Sequence, residues 1–259
     1  MLFGILKRRR RRRVDIASLC ECGLVRRENQ DHVLVNRRGL VFCVADGMGG
    51  GEGGGEASEV VCGEIASVLK RRTEFGERIR LVDEAIRRAD AEVRARAAKA
   101  GYRQMGSTVT VLVADPEDGR SAVVGNIGDS RVYCLRGGGL RQLTRDHTMG
   151  NELMKRTGER GSLAMLDARS AAFSHVLTRA VGVGKDVRPD WRKVDMNEGD
   201  VFLVCSDGVY GAIPSDAVRN ALAQGGRASE MVERLRTAVL AGGAADNFSA
   251  IVVKVGGTA

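Results

Sequence analysis

The chain has 259 residues, of which 43% are hydrophobic and 29% are charged, so it can bury one large core or two small ones. This composition excludes a chain that is disordered throughout, and no run of 18 apolar residues predicts a transmembrane helix. The formal net charge of +8 at first suggests a nucleic-acid partner. However, Lys7 to Arg13 is an unbroken run of seven basic residues, and without it 34 basic residues stand against 33 acidic ones. We therefore expect a soluble globular protein with a nearly neutral body.

The basic run predicts a flexible tail over residues 1–14, with the short apolar stretch Met1 to Leu6 at its tip. A solvated arm is the first interpretation of this tail. Reversible association with anionic membrane is the second, since each basic residue near such a surface contributes about 1 kcal/mol. Nucleic-acid binding is the third and the least favoured. Sedimentation with liposomes, before and after deletion of residues 1–13, tests the membrane interpretation, and unchanged binding would contradict it.

The six cysteines do not have the spacing of zinc ligands, and we expect no secretory signal because the apolar stretch Met1 to Leu6 is too short for one. Cys43, Cys134 and Cys205 lie within apolar runs, where a reduced cysteine behaves as a small hydrophobic residue. These features favour a reducing cytoplasm, and peripheral association at the inner face of the membrane through the tail is the second interpretation given above.

Groups of strands alternate with pairs of helices along the chain. Strands joined by short turns favour an antiparallel sheet, and the helix pairs between them favour an α+β layered sandwich. The predicted elements, in chain order, are a hairpin at Val33 to Val35 and Leu40 to Ala45, helices at about Glu56 to Arg71 and Glu77 to Ala100, strands at Ser107 to Ala114, Ser121 to Ile127, Arg131 to Leu135 and Leu140 to Leu143, a helical insertion within Thr144 to Ser174, a strand at Val201 to Cys205, helices at Ser215 to Ala223 and Ser229 to Leu240, and a final strand at Ser249 to Val255.

Three apolar strands each carry an aspartate at one end. Asp46 follows the strand that ends at Ala45, Asp207 follows Val201 to Cys205 after one serine, and Asp246 precedes the final strand. If these strands are antiparallel neighbours, their ends converge, and clustered carboxylates repel one another unless divalent cations neutralise them. Carboxylate oxygens suit Mg or Mn. Each Asp-Gly dipeptide alone is a common turn, so the prediction depends on their joint placement.

Six short motifs resemble those of one known family and occur in its order. They are Gly23-Leu24-Val25-Arg26 with Asn29-Gln30-Asp31, Ala45-Asp46-Gly47-Met48-Gly49-Gly50, Gly106-Ser107-Thr108, Gly128-Asp129-Ser130-Arg131, Ser206-Asp207-Gly208, and Asp246-Asn247-Phe248-Ser249. The chain thus resembles the bacterial metal-dependent protein serine/threonine phosphatases of the 2C type (PPM family). The resemblance implies a central antiparallel β-sandwich flanked by pairs of helices, in four α-β-β-α layers. It also implies a catalytic domain over residues 15–257 with a flap near 146–175.

The resemblance also implies a metal site of two Mn or Mg ions. Asp46 would bridge the two ions, Asp207 and Asp246 would complete one, and the Gly47 carbonyl would bind the other. Asp129 with Asp207 would form a third, weaker metal site. Asp31 would hold metal-bound waters without binding a metal itself.

Arg26 would bind the substrate phosphate, for which its fork of N–H donors is well suited. The implied reaction is hydrolysis of phosphoserine and phosphothreonine on proteins, by attack of a water or hydroxide that bridges the two ions. The implied partners are phosphorylated proteins and a cognate serine/threonine kinase, and we expect a monomer. A pseudophosphatase that binds phosphoproteins without turnover is the alternative, and a nucleic-acid-binding protein is the third class considered.

The sequence departs from the family pattern at three positions near the motifs. Gln30 replaces a glutamate that helps to bind the second metal in some members, so we do not assign it as a ligand. Met48 and Gly51 occupy positions where relatives have histidines. The acid that protonates the leaving group is therefore unassigned, and a metal-bound water is one alternative. Structural or surface roles are favoured for the three histidines, His32, His147 and His175.

Overall fold

A computed structural model of the chain describes residues 12–48, 53–70, 73–117, 119–157, 173–184 and 187–258. Eleven strands and six helices are described within these ranges. The strands are β1 (Arg12–Glu21), β2 (Asp31–Asn36), β3 (Val41–Met48), β4 (Gly106–Ser107), β5 (Val109–Ala114), β6 (Ser121–Ile127), β7 (Arg131–Arg136), β8 (Gly139–Gln142), β9 (Asp190–Asp195), β10 (Val201–Cys205) and β11 (Phe248–Thr258). The helices are α1 (Gly54–Val68), α2 (Phe75–Ala100), α3 (Met149–Thr157), α4 (Asp207–Tyr210), α5 (Ser215–Ala223) and α6 (Ala228–Ala241).

The strands form two antiparallel sheets that pack face to face. One sheet has the order β1-β11-β10-β7-β8, and the other has the order β2-β3-β5-β6-β9, with β4 paired to β3. Side chains that alternate along β3 and β10, among them Phe42 and Phe202, fill the layer between the sheets and are fully buried. The predicted sandwich is therefore confirmed, and its antiparallel pairing follows from the short turns.

Each sheet carries a layer of helices on its outer face. Helices α1 and α2 cover the β3 sheet, with residues such as Ile65 and Ile86 buried against Val111. Helices α5 and α6 cover the β10 sheet, with Leu222 and Leu235 packed on its outer face. The apolar stripe of each helix meets a sheet, and its charged side faces solvent. This arrangement confirms the predicted four layers.

Two strands escaped the sequence analysis. In β1, Val14 and Ile16 pack between the sheets while Ala17 and Leu19 pack towards the helices, so both faces are apolar, but the adjacent basic run obscures the alternation. Strand β9 is mostly polar, and it is anchored by Trp191, whose Nε1 donates to Asp83 of α2 at 3.0 Å. Tertiary contacts rather than local pattern stabilise this edge strand.

Some predicted segments fall at the limits of the described ranges. Strand β1 begins at Arg12, three residues before the predicted domain start at 15, and residues 1–11 of the predicted tail lie outside the described residues. Of the predicted flap, α3 and residues 173–175 are described, and residues 158–172 are outside. Among the described helices, none is long and apolar enough to cross a membrane.

Candidate metal centre

The ends of four strands place aspartates at one end of the sandwich. In the sheet that contains β2 and β3, Asp31 at the start of β2 lies directly opposite Asp46 near the end of β3. In the other sheet, β10 and β11 are antiparallel neighbours, so Asp207 after β10 and Asp246 before β11 lie at the same end. Asp129 lies in the turn that connects β6 of one sheet to β7 of the other. The aspartates therefore converge across the two sheets, and not along one sheet alone.

A cleft of 280 Å³ opens where these strand ends meet. Six of the seven predicted site residues line it, and Asp31 lies beneath it, only 3% exposed. The residues that line the cleft are Arg26, Gln30, Asp46, Gly47, Met48, Thr108, Asp129, His175, Leu177, Asp207, Asp246 and Asn247. The structure thus brings the seven predicted site residues together at one end of the sandwich. Sequence reasoning did not assign Thr108, His175 or Leu177 to the cleft.

The carboxylates raise one another's pKa values in this cleft. Burial, followed by the charges of Asp31 and Asp207, raises the pKa of Asp46 well above its ordinary value. Burial also raises the pKa of Asp129 to about 7, and the charge of Asp207 adds to this shift. The pKa of Asp207 is raised by burial and by the charge of Asp246. The cleft therefore concentrates negative charge that only cations or protons can neutralise.

Asp31 connects the two sheets beneath the cleft. Its Oδ2 accepts a hydrogen bond from the Ser206 hydroxyl at 2.7 Å, and Ser206 precedes Asp207 on the opposite sheet. Among the described residues, its Oδ1 is buried without a hydrogen-bond partner. Burial raises the pKa of Asp31 to about 6, against the lowering effect of the Ser206 hydrogen bond. A buried carboxylate oxygen without a hydrogen-bond partner is costly, and the Ser249 side chain, which lowers the pKa of Asp31, offsets part of that cost.

Arg26 is bound to one of the carboxylates. Its Nη2 donates to Asp246 Oδ2 at 2.8 Å, which raises the pKa of the guanidinium. Both side chains are exposed in part, so the pair is accessible from the cleft. In the described segments, no three acidic, histidine or cysteine side chains are grouped so as to hold an ion as they stand.

The backbone at Gly47 leaves no space for a side chain. A Cβ at this position would lie 2.1 Å from the carbonyl oxygen of Gly54 and 2.7 Å from that of Gln30. The Gly47 N–H donates to the same Gln30 carbonyl at 3.1 Å. This close approach of three chain segments explains the glycine requirement after Asp46 in structural terms.

The buried carboxyl groups predict a pH-dependent stability in the absence of metal. An unfolded aspartate ionises near pH 3.9, whereas Asp31 and Asp129 retain their protons to about 6 and about 7 in the folded protein. Their favourable contribution is therefore complete below about pH 4 and is lost as the pH rises to about 7. We expect the free energy of unfolding in EDTA to fall over this window.

Urea denaturation in EDTA at pH 5 and pH 7.5 measures this change. Asp129→Asn removes one of the two groups, so the decrease should be smaller by more than about 1.4 kcal/mol, the equivalent of one pKa unit. Equal decreases in the wild type and in Asp129→Asn would show that Asp129 titrates normally.

A network that the sequence did not reveal supports the Asp129 turn. Arg131 forms a bidentate ion pair with Asp146, with a shortest distance of 2.6 Å, and donates to the Tyr133 hydroxyl at 2.8 Å. Its guanidinium also lies 3.5 Å from the centre of the Tyr210 ring. The Tyr210 hydroxyl in turn donates to the Asp129 carbonyl at 3.0 Å. Arg131 is part of the motif Gly128-Asp129-Ser130-Arg131, but the motif alone did not indicate that this arginine supports the Asp129 turn.

Loss of Arg131 should destabilise the protein strongly. Arg131→Ala leaves Asp146, whose side chain is only 8% exposed, as a buried charge without a cationic partner and, among the described residues, with only the Gln142 side chain as a hydrogen-bond donor, and such a change costs about 3 kcal/mol. The matched control is Arg96→Ala, because Arg96 pairs with two exposed glutamates and its loss should cost less than about 1 kcal/mol. Thermal and urea denaturation compare the two variants. Equal losses of stability in Arg131→Ala and Arg96→Ala would show that the burial of Asp146 does not increase the cost of removing its partner.

Two of the three histidines have structural contacts. His32 Nδ1 lies 2.9 Å from the Ser58 hydroxyl. His147 Nδ1 accepts a hydrogen bond from the Gly128 N–H at 3.1 Å, and this contact leaves its Nε2 to face Asp190 at 3.2 Å. His175 is different, since it lines the cleft. The predicted structural role therefore agrees with the contacts of His32 and His147.

Comparison with known proteins identifies the relatives of this chain. The family model described as protein phosphatase 2C matches residues 26–246. Protein phosphatase PhpP of Streptococcus pneumoniae is 29% identical over 254 residues, which cover 93% of this chain and 98% of that protein. The serine/threonine phosphatase stp of Listeria monocytogenes is 32% identical over 239 residues, with coverage of 90% and 92%.

The fold has the same relatives. The crystal structure of the catalytic domain of the serine/threonine protein phosphatase PstP, in complex with two manganese ions, superimposes with a TM-score of 0.79. The two chains are 29% identical in sequence, and the superposition covers 94% of the present chain and 99% of the PstP chain. These likenesses confirm the four-layer fold and the enzyme class that the motifs indicated. The chain belongs to the protein phosphatase 2C family.

Proposed function

We propose that this protein hydrolyses phosphoserine and phosphothreonine on protein substrates, with two divalent cations in the cleft. The observation that carries this proposal is the convergence of carboxylates from both sheets beside an accessible arginine. A pseudophosphatase finds no comparable support, because all the aspartates named by the motifs are present and line or underlie one cleft.

The residues fit a pair of hard cations. Asp46, Asp207 and Asp246 would supply carboxylate oxygens and Gly47 its carbonyl, and such donors suit Mn and Mg. Asp129 with Asp207 would hold a third, weaker ion. The raised pKa values of Asp46 and Asp207 support this assignment, since they show that the ionised carboxylates repel one another and that a bound cation would stabilise their charged forms. When bound, the ions supply an activated water and neutralise charge on the phosphoryl oxygens.

Arg26 and Asp31 have distinct roles in this proposal. Arg26 binds the phosphoryl group through its planar set of N–H donors once Asp246 no longer occupies it. Asp31, whose Oδ2 accepts a hydrogen bond from Ser206, would use its Oδ1 to hold metal-bound water at the base of the cleft. No covalent intermediate with a protein side chain is needed, and no cysteine is among the described residues that line the cleft.

Several finer features belong to the same proposal. The substrates are phosphoproteins made by a cognate serine/threonine kinase, and the catalytic unit acts as a monomer. We place the protein in the cytoplasm, with its basic N-terminal tail able to bring it to anionic membrane. The charge run that supports the tail assignment lies mostly outside the described residues.

Metal dependence tests the proposed function directly. With Mn, we expect turnover of both p-nitrophenyl phosphate and a phosphothreonine peptide, and EDTA should abolish both until excess Mn or Mg is restored. Phosphate release and mass spectrometry of the peptide provide the measurements. Activity that survives EDTA would contradict the metal mechanism, and peptide binding without turnover in Mn would favour the scaffold.

A further inference from the structure

A second pocket adjoins the catalytic cleft. It has a volume of 270 Å³ and is lined by Arg26, Arg27, Glu28, Gln30 and Asn247. Three of these residues, Arg26, Gln30 and Asn247, also line the cleft, so the two spaces share a wall. A group bound in this side pocket would therefore lie next to a phosphoryl group held by Arg26.

Arg27 is a free cation at this pocket. Its side chain is exposed and makes no ion pair or hydrogen bond with any residue in the described ranges. By contrast, Arg26 is paired with Asp246, and exposed arginines on the helices, such as Arg88 and Arg96, are paired with glutamates. Glu28 lines the same pocket, but it is not paired with Arg27. The guanidinium of Arg27 is therefore available to an anion from outside.

The loop that carries Arg27 is held firmly. The side chain of Asn247 accepts a hydrogen bond from the Gln30 N–H at 2.9 Å and donates to the carbonyls of Cys22 and Glu28, at 2.8 and 2.9 Å. The Leu24 N–H donates to the Ala244 carbonyl at 2.8 Å. The backbone around Arg27 is therefore preorganised, and binding there would require ordering of side chains only.

Two apolar side chains extend the same surface. Leu24 and Val25, which precede Arg26, are 65% and 67% exposed, more than any other large hydrophobic residue described. Their loop is fixed by the contacts of Leu24 and Asn247, so the exposure is not explained by a loose chain. Exposed apolar side chains beside a catalytic cleft are typical of a surface that contacts a substrate.

We infer that the side pocket at Arg27 is a substrate subsite. It binds a second anionic side chain, carboxylate or phosphate, within two residues of the phosphoamino acid being hydrolysed. This inference rests on the proposed function. Adjacent residues of an extended peptide are about 3.3–3.6 Å apart, so a side chain one or two positions away reaches a pocket that shares a wall with the cleft. A guanidinium binds a carboxylate or a phosphate through two parallel hydrogen bonds.

Kinetics with matched peptides test the subsite in the Mn-loaded enzyme. One phosphothreonine peptide has alanine at the two positions on either side, others place glutamate at one of these positions, and another carries a second phosphothreonine. For the best-placed acidic peptides we expect kcat/KM to rise about fivefold, mainly through KM, the size expected of one partly exposed ion pair. Increasing the salt concentration should reduce this preference.

Arg27→Gln should abolish the preference without changing turnover of p-nitrophenyl phosphate or of the alanine peptide. The control is Arg38→Gln, since Arg38 is also an exposed arginine, in the turn between β2 and β3, and this variant should keep the preference. Equal kcat/KM for all peptides in the wild type, or a preference that persists in Arg27→Gln, would overturn the inference.

If no phosphopeptide is hydrolysed, the proposed function fails, and the subsite is then judged by binding. Fluorescence anisotropy with the same labelled peptides should still show tighter binding of the acidic ones to the wild type than to Arg27→Gln. Equal affinities would overturn the subsite independently of catalysis.

Discussion

Asp207→Asn is expected to lower Mn-dependent hydrolysis of p-nitrophenyl phosphate by on the order of 10³-fold. The neutral amide cannot neutralise a cation, and Asp207 is the residue shared by the proposed pair and the proposed third site. In EDTA the same variant should be at least as stable as the wild type, because the substitution removes a charge that burial and Asp246 disfavour.

Thermal denaturation with and without Mn separates this effect from misfolding. Mn should raise the melting temperature of the wild type and have a much smaller effect on Asp207→Asn. The matched control is Asp216→Asn, because the Asp216 side chain is 85% exposed on α5, away from the cleft residues. Full activity in Asp207→Asn, or an equal response to Mn, would rule out Asp207 as a ligand.

Gly47→Ala should disrupt both the fold and the site. The added Cβ would lie 2.1 Å from the oxygen and 2.4 Å from the carbon of the Gly54 carbonyl, and these backbone atoms can move only if α1 or the end of β3 shifts. Overpacking of this kind costs about 1–3 kcal/mol or more. Since Gly47 is next to Asp46, we also expect a loss of activity on the order of 10²-fold.

Gly63→Ala is the control for the glycine substitution. Gly63 lies within α1, and a Cβ there would have no atom within 4 Å. Alanine at this position should therefore stabilise the helix by about 0.5–1 kcal/mol. Urea denaturation and phosphatase assays compare the two variants. Wild-type stability and activity in Gly47→Ala would show that the backbone adjusts at this point without cost.

Much of the site was predictable because its residues are tied to strand ends. Asp46, Asp207 and Asp246 each adjoin a continuous apolar strand, a pattern that is visible in one sequence. The contact between Arg26 and Asp246 was not predictable, since it joins residues 220 positions apart and depends on how the loop before β2 meets β11. The same holds for the hydrogen bond between Ser206 and Asp31, which crosses from one sheet to the other.

The fold was predictable where the apolar residues of a helix or strand follow a regular pattern in the sequence. Helix α5 and strand β10 have the predicted boundaries, because their apolar residues recur at the spacing of a helix or fill a whole strand. Strand β9 lacks such a pattern. It is stabilised instead by Trp191, which packs over Gly125 and donates a hydrogen bond to Asp83 of α2. Side chains that act through distant partners leave little trace in the local sequence.

The division of the carboxylates between two sheets gives the buried layer between those sheets a second role. Asp31 and Asp46 move with one sheet, and Asp207 and Asp246 move with the other, so the relative position of the sheets sets the distances between the charges. Phe42 and Phe202, which lie in this layer, therefore act as spacers for the cleft. A substitution there that preserves the folded state can still misalign the carboxylates by a fraction of an ångström, and catalysis would report the change more sensitively than stability.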